Sequence, residues 1–347
     1  MTLYLIGLGL GSSEYLTIKA LKISEKLDKL YLDSYTSFLE ESLVEELRGR
    51  FGEKLVEADR STLEEHVDEI VKEAENMEVG ILVPGDPLIA TTHVAIVVEA
   101  AKRNVPYKIV HGVSAHCALI SASCLQAYKF GRVTTIPKSG LGIETCYRVI
   151  EENMERGLHT LILLDTADGG LRIPEALSLL RKAEEKLGRG IIKQDRLVIC
   201  LARIGFEDEF KWAGKLQDAM KKDYPPPPHS IILPGDLHFA EAEALKRILK
   251  ADESTIDSHV PIKSWRARLT KYVANVENAL KTLNITEDSS RVREVLELVK
   301  SYVEDSTRFQ KERRLFESLA AISYAEGLLD CLRILGKANF SWRSPTS

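Results

Sequence analysis

The chain lacks the marks of several protein classes. It has five cysteines (Cys117, Cys124, Cys146, Cys200 and Cys331) and no CxxC pair, so neither a disulfide framework nor a cysteine-rich zinc centre is indicated. An odd set of thiols fits a reducing, cytoplasmic compartment. There is no basic excess: 47 Lys and Arg stand against 52 Asp and Glu, a formal net charge of −5. That argues against direct binding of nucleic acid. No apolar run approaches the roughly 20 residues that span a bilayer, so no membrane association is expected. The apolar stretch Leu3 to Leu10 has no preceding Lys or Arg and runs into Gly11-Ser12-Ser13-Glu14, unlike the basic start and longer apolar core of a secretory signal. What is present is the balance of a globular protein, 44% apolar and 29% charged residues, over a length that suggests two or three domains.

Glycine and proline are scarce in one region only. Residues 256–347 hold two of the 21 glycines and two of the 12 prolines. The turn punctuation of the first 255 residues therefore stops there. The charge changes as well: residues 1–255 carry 32 basic and 40 acidic side chains, net −8, and residues 256–347 carry 15 and 12, net +3. The tail reads as three helices, with apolar stripes at Trp265, Leu269, Tyr272, Val276, Leu280 and Leu283, at Val292, Val295, Leu296, Val299 and Val303, and at Phe309, Phe316, Leu319, Ala325, Leu329, Leu332 and Leu335. Asp288, Ser289 and Ser290 offer capping side chains before the second helix. The stripes carry no convergent polar groups, so a small helical bundle used for packing or dimerisation is the reading for this module. The polar stretch Ala251 to His259 reads as its linker.

The first segment alternates short apolar runs with amphipathic stretches. Leu3–Gly7, Lys29–Leu32, Val79–Val83 and Tyr107–Val110 read as strands, and Glu14–Leu27, Thr62–Asn76 and Thr92–Arg103 as helices. This alternation implies a parallel sheet with right-handed crossovers. The pattern restarts: Thr160–Leu164, Leu197–Ala202 and Ser230–Leu233 read as strands, Pro174–Lys186 and Phe239–Leu249 as helices. A second α/β domain follows from that restart. The expected division is 1–112, 113–255 and 256–347.

Two loops could carry chemistry. Gly7-Leu8-Gly9-Leu10-Gly11 lies between the first strand and helix, where glycines permit close approach to a ligand. A dinucleotide loop would place its third glycine at position 12, which is Ser12. Asp33 ends the second strand, where a ribose-binding acid would stand, so a nicotinamide-dependent oxidoreductase is one reading and a structural turn another. The second loop, Pro84-Gly85-Asp86-Pro87-Leu88-Ile89-Ala90-Thr91-Thr92-His93, follows a strand at its carboxyl end, the usual ligand edge of a parallel sheet. Asp86 could bind an ammonium group or a ribose hydroxyl, or cap the turn. His111, His116 and Cys117 match no standard zinc spacing. His93 could bond locally at a helix start, and Lys129 and Arg132 could face an acidic partner or solvent.

Taken in order, Gly7–Gly11, Gly85-Asp86-Pro87 with Ala90-Thr91-Thr92-His93, Tyr128-Lys129-Phe130-Gly131, Gly157-Leu158-His159-Thr160, Leu201-Ala202-Arg203-Ile204-Gly205 and Pro228-His229 resemble the diphthine synthase family, a branch of the tetrapyrrole-methylase-like methyltransferases. The matches run from residue 1 to about 250. The tail resembles small helical archaeal domains with no assigned role. The resemblance implies two α/β domains with S-adenosyl-L-methionine in the cleft between them, usually as a homodimer. It implies methylation of the amino group of a 3-amino-3-carboxypropyl-modified histidine of translation elongation factor 2, on the way to diphthamide; archaeal members are associated with repeated methylation. The cofactor contacts carried over by matching motifs are Leu10, Asp86, Ile89, Ser114, Ala115, Leu164, Ile204 and His229, several acting through backbone groups. The resemblance marks no residue as an obligatory base and no metal ligand. His229 is read as binding or loop-ordering rather than as an acid–base group.

The chain departs from the family pattern in three places. The usual Ser-Ile pair is Ser114-Ala115, the usual Ile-Lys after Leu164-Asp165 is Thr166-Ala167, and Lys138–Ile143 lacks the aromatic and proline residues common there. Beside the leading reading stand a tetrapyrrole methyltransferase of the same superfamily, the oxidoreductase, and a non-enzymatic scaffold.

Overall fold

Five short apolar runs in the first third of the chain pair side by side in one direction. In the computed structural model, which describes residues 1–259, 265–312 and 314–342 and, of 265–268, the backbone alone, they are β1 (Leu3–Gly7), β2 (Lys29–Asp33), β3 (Leu55–Ala58), β4 (Val79–Val83) and β5 (Tyr107–Val110). The sheet order is β3-β2-β4-β1-β5, parallel throughout. The connecting helices are α1 (Ile18–Ser24), α2 (Glu41–Phe51), α3 (Val67–Glu73) and α4 (Val94–Lys102). Alternate residues of β1 serve two cores: Leu3 and Leu5 pack with Ile70, Ile81 and Ile96, while Ile6 joins Leu30, Leu43 and Leu82. A parallel sheet covered on both faces requires that double alternation. Because all strands point one way, Gly7, Asp33, Val83 and Val110 end at one edge.

The second sheet is built differently. Its elements are α5 (Ala115–Ala122), β6 (Thr134–Ile136), α6 (Ile143–Glu155), β7 (Thr160–Leu164), α7 (Ile173–Leu187), β8 (Leu197–Ala202), β9 (Phe210–Lys215), α8 (Leu216–Ala219), β10 (His229–Leu233), α9 (Phe239–Arg247) and α10 (Glu253–Asp257). The order is β6-β7-β10-β8-β9; of its neighbouring pairs β6–β7 is parallel and the other three are antiparallel. The alternation of strands and helices pointed to parallel pairing. The prolines Pro225–Pro228 instead return the chain to the carboxyl edge of β7 and β8 before β10 begins, so Ser230 pairs with Leu163 and His229 with Ala202. The core on one face unites Leu161, Ile199, Leu201, Ile232 and Leu245 with Leu119 of α5.

Three local expectations are corrected. Thr62–Asn76 is not one helix. It is a five-residue π-turn, Ser61–Glu65, followed by α3, and Asp59 caps the turn by accepting from the Thr62 amide at 2.9 Å. Lys129 is no solvated charge: its ammonium pairs with Glu241 and the Asp236 carbonyl. Buried Glu241 also accepts from His159 Nε2 at 3.0 Å and from the Gln126 amide at 2.8 Å. Burial pushes its carboxyl up, but these donors outweigh that and hold it at about 2. The stretch 251–259 contains α10, capped by Asp252 and with Ile256 in the second-sheet core.

The chain divides into two units, Met1–Ile150 with Leu158–His259, and Glu151–Gly157 with Val260–Ser347. The second contains α11 (Trp265–Lys281), α12 (Ser290–Lys311), α13 (Leu315–Ile334) and a ribbon of β11 (Asn284–Ile285) against β12 (Ala338–Asn339). Leu269, Val276, Val299, Ile322 and Leu329 form its core. Ser289 caps α12 through the Val292 amide. Phe309 belongs to α12 rather than to the third helix, and Phe316 is exposed, so neither extends the third stripe. The Trp265 side chain lies outside the described residues.

Candidate functional site

The two carboxyl edges face each other, and the loops leaving them enclose a cavity of about 260 Å³. Its frame is a crossing of three backbones. A Cβ on Gly112 would lie 2.3 Å from the Gly85 carbonyl oxygen, and one on Gly7 would lie 2.5 Å from the Gly112 nitrogen. Only glycine permits that approach. Gly85, at φ +78°, exchanges backbone hydrogen bonds with Gly9 at 2.7 and 3.2 Å. The loop after β4 is thereby fixed against the loop after β1.

That loop presents Asp86, which is buried. Its Oδ1 accepts from the Leu88 amide at 3.1 Å, and its Oδ2 accepts from His111 Nδ1 at 2.8 Å. Asp86 therefore both caps the turn and lines the cavity. Ser114 caps α5 by accepting from the His116 amide at 3.2 Å, which sets Ser114 and Ala115 on the wall. Ile89 contributes from the first sheet's side, and Leu164 and Ile204 from the second's. Across the cleft the Thr166 hydroxyl donates to the Thr36 carbonyl at 3.2 Å.

His229 begins β10 with both ring nitrogens engaged. Nδ1 accepts from the Ile173 amide at 3.1 Å, and Nε2 donates to the Pro225 carbonyl at 2.8 Å. Burial pushes its pKa down, and the Arg172 charge adds to that against the Pro225 carbonyl. With both ring nitrogens engaged, His229 ties the proline run to the start of α7.

Seven of the eight residues carried over from the motifs border this one cavity. The eighth, Leu10, does not. Its side chain covers Gly205, where an added Cβ would lie 2.5 Å from Leu10 Cβ, so it underlies the segment carrying Ile204. Thr36, Thr91, Asp165 and Thr166 also line the cavity and were not nominated from sequence. Asp165 had a usable signal, because it is the residue immediately after a strand. Burial raises its carboxyl, but amide donors from Lys138, Ala167 and Thr166, with the Arg60 charge, outweigh that and hold it below its usual range.

Asp33 does not reach a ligand. It is fully buried, with Oδ1 accepting from the Tyr35 and Thr36 amides, both at 3.0 Å, and Oδ2 3.4 Å from buried His93 Nε2. His93 is thus tied to the core rather than to its own helix start. No Lys or Arg lines the cavity among the described residues, so a pyrophosphate would find no countercharge there. The nicotinamide reading fails on both counts. Among the described residues no three His, Cys, Asp or Glu side chains are grouped to hold a metal ion, and no helix is long and apolar enough to cross a membrane.

Residues 2–220 match the family Tetrapyrrole (Corrin/Porphyrin) Methylases. The chain belongs to that family and is a methyltransferase. Within the family it is similar to enzymes named diphthine synthase. That of Methanococcus maripaludis is 36% identical over 253 residues, 72% of this chain and 99% of the relative. That of Saccharolobus islandicus is 39% identical over 253 residues, 71% of this chain and 98% of the relative. A crystal structure of a diphthine synthase superposes with a TM-score of 0.68 at 31% identity, covering 74% of this chain and 99% of that one. Residues 271–338 match a second family, described as a protein of unknown function (DUF357).

Proposed function

We propose that this enzyme methylates the amino group of the 3-amino-3-carboxypropyl-modified histidine of translation elongation factor 2, forming diphthine, with S-adenosyl-L-methionine as donor. The observation that carries the reading is the convergence of Asp86, Ile89, Ser114, Ala115, Leu164, Ile204 and His229 on one cavity, in a chain covering nearly the full length of its diphthine synthase relatives.

The cavity suits that donor. It has apolar walls at Ile89, Leu164 and Ile204, a buried carboxylate at Asp86, and no Lys or Arg among the described residues. A molecule carrying an ammonium and a sulfonium is favoured there over a phosphate-bearing one. Asp86 would hold a cationic or hydroxyl group, Ser114 and Ala115 would border it at the start of α5, and His229 would keep the opposite wall in place. Bound there, the donor would supply an electrophilic methyl carbon to the acceptor nitrogen, with the C–S electron pair left on sulfur. The chain's own task is to bind, orient and exclude water, worth about 7–11 kcal/mol in favourable cases.

The proposal extends to organisation. Residues 1–112 form one methyltransferase lobe and 113–259 the other, since Ile256 of α10 packs in the second-sheet core, and the helical module follows. The enzyme works as a cytoplasmic homodimer, in keeping with five unpaired cysteines. Calorimetric titration tests the donor: S-adenosylhomocysteine binds and NADH does not. Incubation with the histidine-modified elongation factor adds mass in steps of one methyl. Methylation of a porphyrin precursor in place of the factor overturns the acceptor assignment.

A further inference from the structure

A groove of about 970 Å³ adjoins the donor cavity and shares Thr36, Thr91, His116, Asp165 and Thr166 with it. It is larger than the cavity it leads into, and its charges come from two different parts of the fold. From the first sheet's side comes the irregular turn Ser61–Glu65 with the residue before it, Arg60. Glu64 is anchored there by three donors: Arg60 Nε at 2.8 Å, the Tyr35 hydroxyl at 3.2 Å and the Thr92 hydroxyl at 3.1 Å. With Nε engaged, the paired terminal nitrogens of Arg60 have no protein partner among the described residues. Such a pre-oriented fork matches a carboxylate.

From the second sheet's side comes Asp165, which lies where groove and cavity meet. Its oxygens accept from the Lys138 amide at 2.9 Å and the Ala167 amide at 3.0 Å. Each carboxylate oxygen can accept more than one hydrogen bond, so capacity remains toward the groove. Arg60 and Asp165 line the same groove. The groove is lined by Arg60 and by the carboxylates Glu64, Asp165 and Asp168; Arg60, held at Nε by Glu64, and Asp165, held by its amides, offer opposite charges that fit the two ends of a zwitterion. An amine and a carboxylate on the same carbon are what the tip of a 3-amino-3-carboxypropyl group carries.

We infer that this groove is the acceptor subsite, in which Arg60 pairs with the acceptor's carboxylate and Asp165 faces the amino nitrogen that becomes positively charged as it gains a methyl group. Glu64 is a positioning residue that acts by orienting Arg60. The inference rests on the acceptor proposed above. Asp165, kept ionised by its amide donors, serves as a countercharge to the developing ammonium; the proton displaced before a further methylation leaves to water.

The test uses the full-length protein, S-adenosylhomocysteine titration, and steady-state transfer to elongation factor 2 bearing the modified histidine. Arg60→Gln raises KM for the factor roughly 10–100-fold, the range set by losing a charge-assisted hydrogen bond, with S-adenosylhomocysteine binding unchanged. Arg60→Lys recovers part of that loss, which a merely structural role would not predict. Asp165→Asn lowers kcat by more than it weakens S-adenosylhomocysteine binding, since Asp165 borders both the cavity and the groove. An Arg60→Gln enzyme with the parent KM, or an Asp165→Asn enzyme with the parent kcat, overturns the assignment. An Asp165→Asn enzyme whose only defect is weaker S-adenosylhomocysteine binding also overturns it, by confining the residue's role to the donor cavity it borders. A parent protein that binds no S-adenosylhomocysteine, or does not methylate the factor, overturns the proposed function instead.

Discussion

His111 Nδ1 donates to Asp86 Oδ2 at 2.8 Å, with the histidine side chain largely exposed and the carboxylate buried. Asp86 lines the cavity, and its other oxygen is held by the Leu88 amide. Asp86→Ala is expected to weaken S-adenosylhomocysteine binding about 10–100-fold, while unfolding free energy falls by only about 1–2 kcal/mol. Asp86→Asn keeps an acceptor for the Leu88 amide and loses the charge, so it should lose binding with less loss of stability. A folded Asp86→Ala protein with the parent affinity would sink the assignment.

Acid should weaken the fold through its buried histidines. His93, His229 and His259 are all pushed below the ordinary value of 6.5 by burial, His259 to about 4. The unfolded chain therefore binds protons that the folded chain refuses. Their stabilising contribution is complete above about 6.5 and is lost as pH falls toward the depressed values. The unfolding midpoint should hold level above about pH 6.5 and drop from there to pH 5. His229→Gln should flatten part of that slope and lower stability at neutral pH by about 1–3 kcal/mol, because the Ile173 amide loses its acceptor. A midpoint that does not move over this range would contradict the account.

The backbone crossing gives a sharper contrast. Gly112→Ala would drive a methyl group against the Gly85 carbonyl, which is main chain and cannot turn aside. A loss of about 3 kcal/mol or more is expected, together with loss of donor binding. Gly49, inside α2, has open space around it. Gly49→Ala should gain about 0.5–1 kcal/mol from helix propensity and reduced chain entropy. Denaturant titration of the two variants distinguishes them directly, and equal effects would refute the reading.

Chain truncation tests the proposed division. A protein ending at His259 should bind S-adenosylhomocysteine as the full chain does. One ending at Thr255 loses Ile256 from the second-sheet core and the His259 bond to the Gly235 carbonyl at 2.9 Å, and should be less stable by about 2–5 kcal/mol. Loss of binding in the longer truncation, if it stays folded, would show that donor binding needs the tail.

What the residues revealed, and what they hid, follows from burial. The strands read from sequence include every interior strand of both larger sheets: β1, β2, β4, β7, β8 and β10. Interior strands bury both faces and so appear as continuous apolar runs. Unread were β3, β6 and β9, all at sheet edges. In β3, Val56 and Glu57 are exposed, and β9 alternates apolar with Lys and Gly. The strand Tyr107–Val110 is an edge too, yet its Ile-Val end betrayed it. The Thr62–Asn76 period looked helical because α3 continues it, and nothing in that spacing discloses the turn at Ser61–Glu65 that carries Glu64 to the groove. Asp86 was legible because proline and glycine fix its loop. Arg60 was not, since an isolated charge before an irregular turn resembles any solvated side chain.

The meeting of Gly7, Gly85 and Gly112 has a bearing on how such an enzyme diversifies. A junction of main chains offers no volume for gradual retuning, so it can only be inherited whole. The surrounding walls at Ile89, Ala115 and Ile204 are side chains and remain free to be traded. Lineages can thus specialise by reshaping those walls while the scaffold they hang on stays as it is.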